Sequence, residues 1–519
     1  MIDIVNTIAL QRNTDTHHHL HYFRGGELRS ITLAELDARA ISVALRLREL
    51  GIRPGGRVGI LAPNSLEWVL LDLAVLKLGA VTAGFAPGRF DPEELVDSFG
   101  LAVLFTPGAG AEGPVRDLSV IADWAGGGTD HEALEHDPLH RGYDPADICA
   151  IKFTSGSTGM PKGLEATVAS LNSSMHAVQE MFAHGDGDNL LTFLGNWLVQ
   201  QRYWIYSALV FGHDVTIVPL ARAAEAARVA SPTVIMGVPG FYEEVRSRIQ
   251  ASGVAVDRDI IQRELGGRIR YLWTGSAPAS STMLEFFNNN GVPLYEGYGL
   301  SETCIVSKNH PGEFRLGSVG KVLPDKTVRF DADGVLIVGG KHPINTRYTW
   351  SAPGANEKMF LPTGEVKTYD LGYVDEDGFL FVQGRVDDVI SVSSGYGVLS
   401  PLLEHKLREH PAVHQCVLYG NGRPFLSAVV SPASPGPDRG DLWRFVTALN
   451  DTLLPEQRIH ALVLAAEPFT FDNGLLTDQF KPKRTTIHTR YAAELEAIYA
   501  GRPEAANTLL VIEQIKERA

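Results

Sequence analysis

The chain is poor in cysteine, with three among 519 residues: Cys149, Cys304 and Cys416. They lie far apart and match no zinc spacing, which excludes a disulfide framework. A reducing cytoplasm is the simplest compartment. Positive charge is also in deficit: 46 Lys+Arg stand against 61 Asp+Glu, a formal net charge of −15. That sign argues against nucleic acid or an anionic membrane as the main partner. Phosphate ligands stay open, because local groups hold them. No apolar run is long enough to span a bilayer; the most apolar stretch, residues 68–79, carries Asp72 and Lys77. The N-terminus has no basic start followed by an apolar core and cleavage site, so no signal peptide is expected.

What is present is the composition of a soluble globular protein, 44% apolar and 21% charged. At roughly 100–200 residues per domain, the length suits two to four domains or subdomains. Residues 32–50 predict an amphipathic helix, opened by a Thr32/Glu35 capping pair and stopped by Gly51. A strand follows over 57–61, a helix over 66–78, a strand over 80–83, a helix over 92–99 and a strand over 101–106. Strands alternating with helices predict parallel α/β sheets. Gly108, Gly110 and Gly113 spell a literal G-x-G-x-x-G, but no long helix pattern follows, so chance glycine clustering is the better reading. After Asp388 the texture changes to helix (401–409), strands (413–419 and 426–430) and helix (442–452), a small α+β domain. The boundary is placed at the charged segment 384–388, giving domains 1–384 and 385–519. His17, His18, His19 and His21 precede the first convincing element and read as a polar N-terminal segment.

The strongest local signal is F-T-S-G-S-T-G-M-P-K-G over residues 153–163. Glycines let backbone N–H groups curl around an anion; Thr154, Ser155, Ser157 and Thr158 add hydroxyls and Lys162 a charge. This is a phosphate cradle but not a Walker A loop, since Lys162 is followed by Gly163 rather than Ser or Thr.

The string resembles the signature of the adenylate-forming ligases: acyl- and aryl-CoA synthetases, adenylation domains and luciferases. Five further motifs follow in that family's order. Y-E-G-Y-G-L-S-E (295–302) resembles the second signature, G-S-V-G (317–320) the next, T-Y-D (368–370) the ribose-binding T-G-D, G-R-V-D-D-V-I (384–390) the interdomain hinge, and L-T-D-Q-F-K-P-K-R (476–484) the catalytic-lysine motif in the style of fatty acyl-CoA synthetases. The resemblance implies a large N-terminal domain of β-sheets flanked by helices, in several subdomains, and a small mobile α+β C-terminal domain. It implies ATP and Mg2+, with CoA as co-substrate. Nucleotide-binding positions are then Thr154, Ser155, Gly156, Ser157, Thr158, Gly159, Lys162, Gly275, Ser276, Ala277, Glu296, Gly297, Tyr298, Gly299, Ser301, Asp370 and Arg385. Tyr298 would stack on adenine, Asp370 accept the ribose hydroxyls and Glu302 hold the metal. Lys481, Thr154 and Glu302 would be catalytic, and Asp387 the hinge. Lys481 takes the family lysine position and Lys483 reads as a surface charge, with the reverse assignment as the alternative.

The implied reaction is attack of a carboxylate on the α-phosphate, release of pyrophosphate, then transfer to CoA. A stand-alone ligase delivering to a carrier protein, activation of a non-carboxylate acid, and a nucleotide-binding pseudoenzyme are the other readings. The sequence leaves the oligomeric state open, a homodimer included. Three departures from the pattern point to an unusual substrate: Tyr369 replaces the T-G-D glycine, Trp197 stands where many relatives carry His, and the His after the phosphate loop is missing. The acid pocket is expected from Trp197, Tyr203, Phe241 and Gly275, with Trp204 and Tyr242 nearby; an aryl or alkyl acid fits that set. Arg202, in the same segment, could meet a second carboxylate of the substrate or sit on the surface; the surface is the preferred reading.

Overall fold

Short apolar runs between helical segments become the strands of two large sheets. The computed structural model describes all residues except 1, 89, 128–136, 155–161, 341–346, 435, 478–479, 502–506 and 512–519. Among the described residues the chain divides into two units, each taken by itself below. The first comprises 1–276, 283–329 and 337–368; the second comprises 277–282, 330–336 and 369–519.

In the first unit, one sheet has nine strands in the order Lys321–Val322, Cys304–Lys308, Leu294–Leu300, Tyr271–Thr274, Val234–Gly237, Asn189–Thr192, Asp214–Ile217, His19–Arg24 and Glu27–Thr32. Its centre is parallel and its two margins are antiparallel. The central strands Asn189–Thr192, Val234–Gly237 and Tyr271–Thr274 are buried along their whole length, which is why they read as unbroken apolar runs. A seven-stranded sheet runs Tyr348–Trp350, Lys162–Thr167, Ile148–Thr154, Val81–Phe85, Arg57–Leu61, Val103–Thr106 and Val115–Asp117. One apolar core joins strands of both sheets to the helices Ile4–Leu10, Leu33–Glu49, Leu66–Lys77, Val168–Phe182 and Val199–Phe211. Thr32 caps Leu33–Glu49 as expected, its hydroxyl accepting from Glu35 N–H.

Two expectations are corrected here. His19 and His21 belong to a sheet strand rather than to a loose N-terminal segment, and the helix Ile4–Leu10 precedes them. Arg202 is fully buried, not at the surface. Its Nη1 donates to Asp72 Oδ1 at 3.0 Å and its Nε to the Asn196 carbonyl at 2.8 Å. The apolar stretch therefore tolerates Asp72 because a helix distant in sequence supplies the cation; Lys77 likewise meets Asp37 at 2.7 Å.

The second unit carries a four-stranded sheet, Val413–Tyr419, Leu426–Pro432, Ile459–Leu464 and Thr508–Leu510. Its strands alternate between two cores. Leu462 and Leu464 pack with the helices Ser400–Leu407 and Arg439–Asp451, and Ala461 and Val463 pack with Arg484–Arg490 and Ala492–Tyr499. That period of two is the strand signature with both faces covered.

Candidate active site

The phosphate-loop residues Ser155, Gly156, Ser157, Thr158 and Gly159 lie outside the described residues, as does the side chain of Thr154. The positions flanking them are fixed. Thr154 and Lys162 are cross-strand partners in the antiparallel pair of Ile148–Thr154 and Lys162–Thr167. Lys162 Nζ stands 5.0 Å from the centroid of the Tyr348 ring. The Tyr348 hydroxyl donates to Glu302 Oε1 at 2.5 Å, in a buried setting. One tyrosine therefore brings together the lysine of the first motif and the carboxylate of the second, which are far apart in sequence. Tyr348 was not foreseen from the sequence. Its only signal there is the short aromatic run Tyr348–Trp350, which pairs with the strand that begins at Lys162.

The second signature is a hairpin. Leu294–Leu300 pairs with Cys304–Lys308, with a register shift between Tyr298 and Gly299. Its glycines are sites of close approach. A Cβ on Gly297 would come within 2.5 Å of Lys308 Cδ, and one on Gly299 would strike the Cys304 carbonyl. Lys308 is buried behind this hairpin. Its Nζ donates to the Tyr295 carbonyl at 2.7 Å and lies 3.9 Å from the Trp273 ring. Burial drives the Lys308 amine well below the ordinary lysine range, the Glu296 charge partly opposing this. Glu296 is buried, Tyr298 and Ser301 are half-buried, and Gly275 and Ser276 close the neighbouring strand Tyr271–Thr274. Ala277 falls in the second unit.

Among the described residues six non-glycine residues have positive φ; Ser276, Tyr369 and Phe480 fall at predicted site or motif positions, and Cys304 just after the second signature. The T-Y-D departure is explained in part by this. Tyr369 has φ +61°, the left-handed region that a glycine would enter freely. Tyrosine has taken over the position without releasing the backbone from the conformation.

Of the residues expected to form the acid pocket, Tyr203 is buried with its hydroxyl 3.3 Å from Cys304 Sγ, and Phe241 is buried with its ring 4.7 Å from Phe193. Trp197 is half-buried and folds over Gly195, where any side chain would collide with the indole. Trp204 packs edge-on to Trp273, and the Tyr242 hydroxyl donates to the Ile235 and Trp273 carbonyls, so both are parts of the core.

In the second unit Asp370 and Arg385 are cross-strand partners, with Nη1 to Oδ1 at 3.4 Å. Asp370 is buried. Asp387 is exposed in the 3-10 turn Val386–Asp388. Lys481 is exposed on a loop closed by the Leu476–Pro482 bridge, and its N–H donates to Thr477 Oγ1 at 3.1 Å. Lys483 is half-buried and its N–H is used by the Leu475 carbonyl. Arg484 ties this loop to the turn Val386–Asp388, with Nε 3.1 Å from Asp388 and a fork onto Glu404.

The AMP-binding enzyme model matches residues 9–339, and the AMP-binding enzyme C-terminal domain model matches 387–503. The chain belongs to the AMP-binding enzyme family, the adenylate-forming ligases. A long-chain-fatty-acid–CoA ligase, FadD15 of Mycobacterium tuberculosis, is 28% identical over 96% of this chain and 97% of its own length. A 2-succinylbenzoate–CoA ligase of Bacillus cereus is 26% identical over 76% of this chain and 81% of its own. Among solved structures, ATP-bound MatB from Rhodopseudomonas palustris superposes with a TM-score of 0.75 at 21% identity, covering 95% of this chain and 99% of that one. O-succinylbenzoate CoA synthetase (MenE) from Bacillus subtilis, in complex with AMP, gives 0.74 at 20% identity, covering 94% and 98%. Those two likenesses carry the fold. Among the described residues, no helix is long and apolar enough to cross a membrane.

Proposed function

We propose that this chain is an ATP-dependent acid–thiol ligase that converts an aryl or alkyl carboxylic acid to its acyl-adenylate and then to an acyl-CoA. The observation that carries the reading is the Lys162–Tyr348–Glu302 arrangement, which sets a cation over the face of one buried ring and a carboxylate at its hydroxyl. In the first half-reaction a substrate carboxylate oxygen bonds to the α-phosphorus and pyrophosphate leaves. Such a step needs positioning and charge neutralisation more than covalent help. Lys162 supplies charge beside the phosphates. Glu302 suits magnesium by donor chemistry: it offers carboxylate oxygen, and Tyr348 fixes its direction. Magnesium, when bound, offsets phosphate charge. Asp370, oriented by Arg385, is the ribose acceptor, and Tyr298 the adenine platform. Lys481 is the cation of the adenylation step; its exposure on a braced loop supports this, and Lys483 is held closer to the protein.

In the second half-reaction CoA sulfur attacks the acyl carbon and AMP leaves. Asp387 is the hinge between domains 1–384 and 385–519. Its exposure in a 3-10 turn supports a pivot, because little packing resists a backbone change there. Three buried free cysteines support a reducing, cytoplasmic setting.

The test is acid-dependent ATP–pyrophosphate exchange with alkyl, aryl and dicarboxylic acids, first without CoA and then with thioester formation measured on its addition. Exchange with one acid class, followed by CoA-dependent thioester, is the expected result. Exchange without any CoA thioester would move the acceptor to a carrier protein. ATP binding without exchange on any acid would refute the ligase reading.

A further inference from the structure

Buried cations are costly unless an anion or several oxygens meet them. This chain follows that rule at Lys77, which meets Asp37, and at Arg202, which meets Asp72. Lys308 has carbonyl oxygens and an indole face. Lys152 is the exception. It is 2% exposed, and among the described residues it forms no ion pair. Among the described residues its Nζ reaches only Cys304 Sγ, at 3.9 Å, and a thiol is a weak acceptor.

The surroundings are short of acceptors as well. Gln200 Nε2 points at the same sulfur from 3.8 Å and the Tyr203 hydroxyl from 3.3 Å. Two nitrogen donors and one hydroxyl thus converge on one thiol. Lys326 adds positive charge near by: its own amine is lowered by burial, and it feels Cys304, Asp325 and Lys152. One cross-strand partner of Lys152 is Gly84, which leaves the space above it to Trp197 and Arg202. Gln200, Tyr203 and Trp197 come from the acid-pocket segment, and Cys304 follows Glu302 by two positions. The donor cluster therefore belongs to the acid side of the site.

We propose that Lys152 is the specificity-determining residue for an acid bearing a second carboxylate, with Gln200 and Tyr203 completing the oxyanion's hydrogen bonds. The proposal rests on the ligase reading above and narrows its substrate to dicarboxylic acids. The second carboxylate would take the place of the missing counter-charge, while the first reacts with ATP.

The experiment is ATP–pyrophosphate exchange with matched pairs: hexanedioate against hexanoate, decanedioate against decanoate, and terephthalate against benzoate. The quantity read is the kcat/KM ratio of diacid to monoacid, for the wild type, Lys152→Met and Lys152→Arg. The wild type is expected to favour the diacid in at least one pair. Lys152→Met should lower that ratio at least ~30-fold, the size expected when one partner of a buried charge pair is removed. Lys152→Arg should keep most of it. A wild type that favours the monoacid in every pair overturns the proposal by itself, whether or not the variants fold, and leaves the ligase reading standing. So does a ratio unmoved by Lys152→Met. No exchange with any acid overturns both.

Discussion

Replacing Lys308 with Met removes an ammonium group that has no access to water and keeps the stem that fills the space beside Gly297. Burial lowers the Lys308 amine, Glu296 partly opposing it, so folding expels a proton. Between the folded value and the unfolded one near ~10.5, the unfolded chain holds more protons than the folded chain. Stability then rises with pH, by up to ~1.4 kcal/mol per unit for this one group. The contribution is complete above the unfolded value and is lost as pH falls toward the folded one. Methionine has no such dependence. It also leaves the Tyr295 carbonyl without its 2.7 Å donor, a cost of about 1–3 kcal/mol that does not vary with pH. The assay is urea unfolding of wild type and Lys308→Met, followed by tryptophan fluorescence at several values between about pH 7 and pH 10, below the lysine reference. The wild type should gain on the variant as pH rises, and the difference in slope is the signal, because the lost hydrogen bond shifts only the offset. Parallel profiles would refute the reasoning, since they would mean that Lys308 is as protonated in the fold as in the unfolded chain.

Tyr348→Phe keeps the ring beneath Lys162 and deletes the hydroxyl on Glu302. A hydrogen bond to a charged group is worth about 1.5–3 kcal/mol, so exchange should fall roughly 10- to 100-fold and the magnesium requirement should rise; unchanged magnesium titration would count against the arrangement. Lys481→Ala should reduce pyrophosphate exchange by about 10²–10³-fold, the usual effect of removing one charge-stabilising donor, whereas Lys483→Ala should change it little; the opposite pattern would exchange their assignments. Arg202→Met should destabilise by about 3–5 kcal/mol, because Asp72 would stay buried without its cation. Adding Asp72→Asn should restore part of that loss in chemical denaturation, and a double variant no more stable than the single one would show that the pair is not coupled.

Much of the first unit was legible because its elements are locally coded. The helix Pro92–Phe99 and the strand Arg57–Leu61 have the predicted bounds, and Thr32 caps the helix that follows it. The motif order gave the family. What escaped was non-local. Arg202 lies in an aromatic segment with no carboxylate beside it, and only the tertiary fold brings Asp72 to it. Tyr348 sits on a short strand outside every motif, so nothing marks it until that strand pairs with Lys162–Thr167. Lys152 lies between apolar residues of a strand, and its missing counter-charge becomes visible only when its neighbours in space are known. Backbone sign is equally hidden: a tyrosine in place of glycine gives no warning that φ has stayed positive.

That last feature has a mechanical consequence. A glycine at residue 369 would be indifferent to the sign of φ, and a turn built on it would sit in a flat torsional well. Tyrosine is not indifferent: the left-handed region costs a non-glycine residue roughly 1–2 kcal/mol. The backbone at the head of the second unit is therefore cocked like a latch. Rotation of this one bond out of the left-handed region would run downhill.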